Sequence, residues 1–182
     1  RRRSSRVAKN LTLLKERLMA DGMKMIGHTG ESLTVHVLAK MGIYAYSIKH
    51  DGTDVIAIGG NGLPLSQRIE VKSSEDMAEP KKNLFSFSCS RGANPKRWYK
   101  KEDCDILAFV SLLDESIIFK AVEDIPMVTK KIHRRDFQTE GITNKTWSEA
   151  LDKSFKSTNF LTENLIKKDE NLFDNIENTR HN

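Results

Sequence analysis

The run DILAFVS, residues 105–111, is apolar at almost every position. A strand without a polar face must be covered on both sides, so this run predicts a buried strand inside a sheet. The segment SIIFKAV, residues 116–122, follows after only LLDE and is expected to pair with it. With 182 residues, the chain is long enough for one domain around this sheet and a small appendage.

Four further segments have the composition of strands. IYAYSI (43–48) is rich in β-branched and aromatic residues, and LFSFSC (84–89) alternates between apolar and polar positions. DVIAI (54–58) and QRIEVK (67–72) flank the turn cluster GGNGLP, which predicts an antiparallel hairpin. We therefore expect an α/β protein with a mixed sheet of five or six strands.

Two helices are predicted before the strands. LTLLKERLMAD, residues 11–21, has leucines on one helical face and ends at Gly22, and the sequence GHTGES then predicts a break. A second helix is expected from a cap at Thr29 to about Met41, with Gly42 as the stop signal.

The chain after Pro126 is predicted to be helical again. TWSE, residues 146–149, has the form of a capping box, and Trp147, Leu151 and Phe155 would share one face of the helix that follows. Another helix is expected around 159–168. These patterns divide the chain into an N-terminal basic helix or arm (1–27), a core (28–125) and a helical C-terminal extension (126–182).

Composition favours an intracellular protein. The chain is 38% hydrophobic and 30% charged, and no stretch approaches the roughly 20 apolar residues of a membrane helix. We see no secretory signal, and Cys89 and Cys104 show no pairing pattern, so we expect reduced thiols and a cytoplasmic location. The histidines lack zinc-like spacing.

Positive charge is concentrated in particular segments. The formal net charge is +5, with eight Lys or Arg against two acids in residues 1–30 and eight against three in residues 72–101. This distribution suits a polyanionic partner such as DNA, although a solvated surface explains it as well.

The strand RIEVKSS, residues 68–74, has an unusual polar face. Alternation places Arg68, Glu70 and Lys72 on one side and Ile69 and Val71 on the other. A polar face of this composition is expected to bind a ligand, unless Glu70 and Lys72 form only a solvated ion pair.

Asp54 begins the other strand of the predicted hairpin, so its carboxylate is expected to lie near that of Glu70. Two neighbouring carboxylates repel each other, and Mg²⁺, which prefers a few carboxylates together with waters and phosphate oxygens, would relieve that repulsion. Lys72 could then orient or deprotonate a water or neutralise developing charge, and Arg68 could reach a phosphate. Asp51 is a rival for Asp54, with a turn-forming role beside Gly52 as its alternative.

The order of these residues resembles the PD-(D/E)XK nuclease superfamily. Gly30-Glu31 opens a helix, Asp54-Val-Ile-Ala begins a strand and Glu70-Val71-Lys72 follows on the next, although Thr53 stands where the superfamily usually has proline. The resemblance covers about residues 28–125, and the layout is similar to archaeal Holliday-junction resolvases and small homing endonucleases.

This resemblance implies a restriction-endonuclease-like fold and a metal-dependent DNA nuclease. Asp54, Glu70 and Lys72 would form the catalytic centre with Glu31 assisting, and the three acids would bind Mg²⁺, with Mn²⁺ possible. Superfamily members often have Ser, Thr or Gln after the lysine, which Ser73 or Ser74 would match. In sequence alone, Glu31 is also explained by the helix dipole.

Two basic clusters are candidate contacts for double-stranded DNA, SRGANPKRWYKK (90–101) and KKIHRR (130–135). Trp98 and Tyr99 could stack on a sugar or base, or Trp98 could pack under the loop. The predicted DNA-contacting residues are Arg68, Ser73, Arg91, Lys96, Arg97, Trp98, Lys100, Lys101, Lys130, Lys131, Arg134 and Arg135.

Three functions agree with these patterns: a Mg²⁺-dependent endonuclease of homing or restriction-like type, a Holliday-junction resolvase, and an inactive nucleic-acid-binding module. Cutting two antiparallel strands with one site per chain favours a homodimer or a higher symmetric oligomer. The expected contacts are the helix at 11–21 and the C-terminal helix that carries Trp147.

Overall fold

The computed structural model describes residues 2–50, 52–59, 66–92 and 95–156. A long helix, α1 (Arg2–Lys40), precedes the first strand, and two helices, α2 (Arg134–Phe137) and α3 (142–156), follow the last one. The strands in chain order are β1 (Tyr44–His50), β2 (Thr53–Ile58), β3 (Gln67–Ser74), β4 (Leu84–Ser88), β5 (Ser90–Arg91), β6 (Arg97–Trp98), β7 (Ile106–Ser111), β8 (Ser116–Ala121) and β9 (Thr129–His133).

The central sheet has five strands in the order β1-β2-β3-β7-β8. β3 and β7 are parallel and the other neighbours are antiparallel, so the predicted mixed sheet and both predicted antiparallel pairs are confirmed. β4 does not join this sheet but pairs with β9 in a separate antiparallel ribbon. The strand β9 replaces the helical structure expected directly after Pro126.

One face of the central sheet is covered by α1 and α3. Their apolar residues pack on the alternate residues of the strands that point to this side, with Phe119 against Trp147 at 5.0 Å between ring centroids. The face of α3 that carries Trp147 is therefore buried inside the protein.

By the residues that the structure describes, the opposite face is covered only over β7 and β8. There the β4–β9 ribbon and the segment 95–105 enclose a second core, whose buried aromatic residues are Phe85, Phe87, Tyr99, Phe109 and Phe137. Over β1 and β2 the same face is open, with Tyr44, Tyr46 and Ile58 exposed. The boundary between the covered and the open half runs along β3.

The predicted break between two N-terminal helices is wrong, because α1 continues through Gly22 and GHTGES and across the boundary placed at residues 27 and 28. A glycine inside a helix costs only about 1 kcal/mol relative to alanine, which the rest of the helix can offset. Thr29 donates its hydroxyl to the Met25 carbonyl at 2.8 Å instead of capping a helix.

Gly30 lies where α1 approaches the sheet most closely. A Cβ atom at this position would lie 1.7 Å from Ser73 Oγ, so glycine is required for the close packing of helix and strand.

The predicted capping box at 146–149 is also wrong. Thr146 lies inside α3, where its hydroxyl donates to the Ile142 carbonyl at 2.8 Å and accepts from the Phe119 amide at 3.1 Å. The residue joins the helix to the edge strand β8 instead of ending the helix. The helix expected around 159–168 lies outside the described residues. Among the described helices, none has the length and apolar character needed to span a membrane.

Candidate active site

The strands β2 and β3 separate at the position of Asp54 and Glu70. Their ladder ends at the pair Val55–Ile69, and the Val71 amide instead donates to Asp54 Oδ2 at 2.8 Å. A carboxylate thus occupies the place of a backbone acceptor in the ladder. The two acids lie on neighbouring strands at this opening, and they are near enough for the charge of Glu70 to raise the pKa of Asp54.

Thr53, the residue before Asp54, has partners on β1 and on the segment that precedes β7. It pairs with His50 in β1, and its hydroxyl donates to the Asp103 carbonyl at 3.2 Å. A buried threonine with a partner on another segment therefore occupies the position before the first acid.

Glu70 and Lys72 form a buried pair with a third residue, Tyr99. Lys72 Nζ donates to Glu70 Oε1 at 2.6 Å, the Tyr99 hydroxyl donates to the same oxygen at 2.6 Å, and Lys72 Nζ donates to the Tyr99 hydroxyl at 3.1 Å. The ammonium also lies 4.9 Å from the centre of the Tyr99 ring. Glu70 is only 6% exposed, so the pair is not the solvated ion pair that the sequence allowed.

The pKa of Asp54 is raised from 3.8 to about 6. Burial is the largest cause, followed by the negative charge of Glu70, and the hydrogen bond from Val71 opposes them. Glu31, on α1, adds a smaller repulsion. The three predicted acids therefore interact electrostatically, and the group has negative charge that a cation would stabilise.

The Lys72 ammonium keeps its proton. Burial, the largest single effect, would lower its pKa, but the charges of Glu70 and Tyr99 and the hydrogen bonds with them together outweigh burial, and the pKa lies above its ordinary value. Burial also raises the pKa of Tyr99, so its hydroxyl remains a donor to Glu70. At neutral pH Lys72 therefore acts as a cation.

The charge of Glu70 affects Asp54 more strongly than the charge of Glu31 does. Among the residues that the structure describes, no group of three or more His, Cys, Asp or Glu side chains could hold a metal ion. Glu31 lies 3.5 Å from His28 Nδ1 and contributes to the site through its charge on Asp54. Asp51, the rival of Asp54, lies outside the described residues.

A groove of about 540 Å³ begins at Lys72 and runs between α1 and β4. Its wall includes Ser73, Ser86 and Ser88. The Ser73 hydroxyl is buried and has no hydrogen-bond partner among the described residues. Lys72 is therefore one of the residues that line this groove.

Arg68 lies on the same face but is bound within the protein. Its side chain donates to Asp105 Oδ2 at 3.1 Å and to the Glu102 carbonyl at 2.8 Å, and it also donates to the Lys101 carbonyl. These bonds fasten the segment that precedes β7 to β3. Lys101 joins the same cluster, 3.1 Å from Asp105 and 2.8 Å from Ser154 Oγ.

Asp103 organises the first basic cluster. It accepts from Arg91 Nη1 at 2.6 Å, from Arg97 Nη2 at 2.8 Å and from the Lys100 amide at 3.1 Å. Trp98 is 45% exposed, so the interpretation that it packs under the loop is wrong, and its neighbour Tyr99 has that position. Lys96 and Lys100 are exposed beside it.

The second basic cluster lies on β9 and α2. Lys131 forms an ion pair with Glu79, and Arg134 Nε lies 2.9 Å from Asp114 Oδ1. Lys130 is half-buried, whereas the Arg135 side chain is 80% exposed. The predicted DNA contacts thus include several cations that also have structural partners.

No protein-family model matches this sequence, and no curated protein matches it. The structure is similar to that of a bacterial homing endonuclease, I-Ssp6803I, with a TM-score of 0.54 and 12% sequence identity. The likeness covers 74% of this chain and 97% of that chain. The protein therefore has an endonuclease-like mixed α/β fold, as the sequence predicts.

Proposed function

We propose that this protein is a metal-dependent DNA endonuclease of homing or restriction-like type, a member of the PD-(D/E)XK superfamily. The observation that supports this most strongly is the opening between β2 and β3. There the Asp54 carboxylate replaces a backbone acceptor between the strands, the Glu70 carboxylate is buried, and Lys72 is held as a cation.

Asp54 and Glu70 would hold the metal, Mg²⁺ or Mn²⁺, with Glu31 assisting. Their chemistry fits such an ion, since the pKa of Asp54 is raised by burial and by the charge of Glu70, and a divalent cation would relieve that repulsion. When bound, the metal would activate a water and polarise the phosphate.

Lys72 would stabilise negative charge on the phosphate. A protonated lysine cannot take a proton from water, so of the roles considered for it, charge stabilisation and the orientation of a water fit its raised pKa and deprotonation of a water does not. Its buried position beside the groove places the charge where water screens it little.

Double-stranded DNA would pass over the open half of the sheet and beside the basic loop. Exposed Trp98 and Lys100 flank Tyr99 directly, Lys96 lies three positions before it, and Tyr99 contacts the catalytic pair. A homodimer would supply the second site for the opposite strand. The sequence predicts that the C-terminal helix contacts the second copy of the chain. Because the apolar face of α3 packs on the sheet through Trp147, this face does not form the contact between copies.

The test is incubation of the protein with supercoiled plasmid, linear duplex and four-way-junction DNA, each with Mg²⁺ or with EDTA. We expect Mg²⁺-dependent cleavage of duplex DNA. Cleavage of the junction alone would assign a resolvase instead.

A second candidate is a nucleic-acid-binding module without catalysis. It is favoured by the close bonding of Glu70 Oε1 to Lys72 and Tyr99, together with the lack of a cluster of three metal-binding side chains within the described ranges. Tight, salt-dependent DNA binding without cleavage in any of these reactions would identify it.

A further inference from the structure

Among the described side chains of the basic loop, only Tyr99 forms hydrogen bonds with the catalytic pair, Glu70 and Lys72. It lies 29 positions from Glu70 and 27 from Lys72 along the chain, and it is 5% exposed. Its hydroxyl donates to Glu70 and accepts from Lys72, so one atom contacts two neighbouring side chains of the same face of β3.

This hydroxyl restricts how the two side chains can be arranged. Both hydrogen bonds to the Glu70 carboxylate go to Oε1, and no hydrogen bond to Oε2 is formed by the described residues. The carboxylate is therefore oriented with one oxygen toward lysine and tyrosine. The ring of Tyr99, with Nζ at 4.9 Å from its centre, limits the positions of the ammonium as well.

The segment that carries Tyr99 is itself held firmly. Asp103 binds Arg91, Arg97 and the Lys100 amide, which closes the loop on both sides of Tyr99. Arg68 fastens the following residues to β3 through carbonyl groups. A side chain that is supported in this way can define the position of its partners.

We infer that Tyr99 is a positioning residue, whose hydroxyl holds Glu70 and Lys72 in the arrangement that phosphodiester cleavage requires. The inference rests on the proposed function for its consequence in cleavage. The arrangement of the pair itself can be measured without any nuclease activity, and this separates the two claims.

The direct measurement is the ammonium signal of Lys72 in ¹⁵N NMR spectra of the full chain without DNA. A buried, hydrogen-bonded ammonium exchanges its protons slowly, so we expect a signal that Lys72→Met removes. Tyr99→Phe keeps the ring and removes the hydroxyl, and it should broaden or shift this signal. Tyr44→Phe, which alters an exposed tyrosine of β1 outside the Glu70, Lys72 and Tyr99 cluster, should leave the signal of the DNA-free protein unchanged. A signal with the same position and width in Tyr99→Phe overturns the inference.

Cleavage provides the second readout. Removing a group that orients a metal-binding side chain typically lowers metal affinity or activity 10- to 100-fold. In single-turnover reactions with Mg²⁺, we therefore expect Tyr99→Phe to cut DNA about 10- to 100-fold more slowly, with DNA affinity within about twofold of wild type. Cutting by Tyr99→Phe at the wild-type rate overturns the inference, whereas a wild-type protein that never cuts DNA, with the NMR result intact, overturns only the proposed function. Circular dichroism and thermal unfolding of each variant confirm that it is folded.

Discussion

The raised pKa of Asp54 predicts that this acid destabilises the metal-free protein at neutral pH. The pKa is 3.8 for an ordinary aspartate and about 6 here, because burial and then the charge of Glu70 disfavour the ionised form. In the window from pH 4 to 6 the native state binds more protons than the unfolded chain, so stability falls as the pH rises through that window. Above that pH window the full loss of stability remains.

Asp54→Asn removes this charge and keeps an oxygen that can accept from the Val71 amide. A shift of roughly two pKa units corresponds to about 3 kcal/mol, and solvent screening of a half-buried carboxylate reduces this to roughly 1.5 kcal/mol. We therefore expect Asp54→Asn to be about 1.5 kcal/mol more stable than wild type at pH 7.5 in EDTA, with the difference shrinking as the pH falls toward 4.

The assay is urea unfolding of the two proteins at a series of pH values. The difference between them reports the titration of Asp54 and its coupling to neighbouring charges, because every other titrating group is shared. Asp76→Asn, a change at an exposed aspartate, serves as the control and should alter stability by no more than about 0.5 kcal/mol. An Asp54→Asn protein that is less stable than wild type at pH 7.5, or a difference that does not vary with pH, would refute the reasoning.

Three further predictions concern packing, DNA binding and assembly. Gly30→Ala should lower the free energy of unfolding by about 1 to 3 kcal/mol, because the new Cβ meets Ser73. Gly27→Ala, with open space around it, should be neutral or stabilising. Equal stabilities of the two variants in calorimetry would contradict the close packing at Gly30. DNA affinity should fall steeply with salt as basic side chains release counterions, and a flat dependence between 50 and 200 mM in a fluorescence titration, about the range over which such losses are large, would exclude phosphate contacts. Light scattering should show a dimer alone or on DNA, and a monomer that still makes double-strand breaks in one binding event would contradict the twofold assembly.

Strand periodicity made the core of the fold predictable. A continuous apolar run located β7, the short connection after it located β8, and the turn cluster between β2 and β3 predicted their antiparallel pairing. That pairing places Asp54 and Glu70 on neighbouring strands, where the charge of Glu70 raises the pKa of Asp54. The local pattern succeeded because each of these strands has neighbours close in the chain or is apolar throughout.

Features that depend on distant contacts were not predictable. Gly30 reads as a helix breaker, yet it is required where α1 meets Ser73. Thr146 reads as a helix cap, yet it bonds to a strand 27 residues away. Tyr99 reads as a DNA-stacking residue because it lies among basic residues, and only the folded chain brings its hydroxyl to Glu70.

Single-turnover cleavage of supercoiled plasmid in Mg²⁺ tests the central claim most directly. Wild type, Glu70→Gln and Lys72→Ala are compared at protein concentrations that saturate the DNA, with binding measured in parallel. Wild type is predicted to cut and the two variants to bind DNA without detectable cutting, because the carboxylate and the ammonium of one buried pair act together. Cutting by either variant at the wild-type rate would show that the opening between β2 and β3 is not the active site.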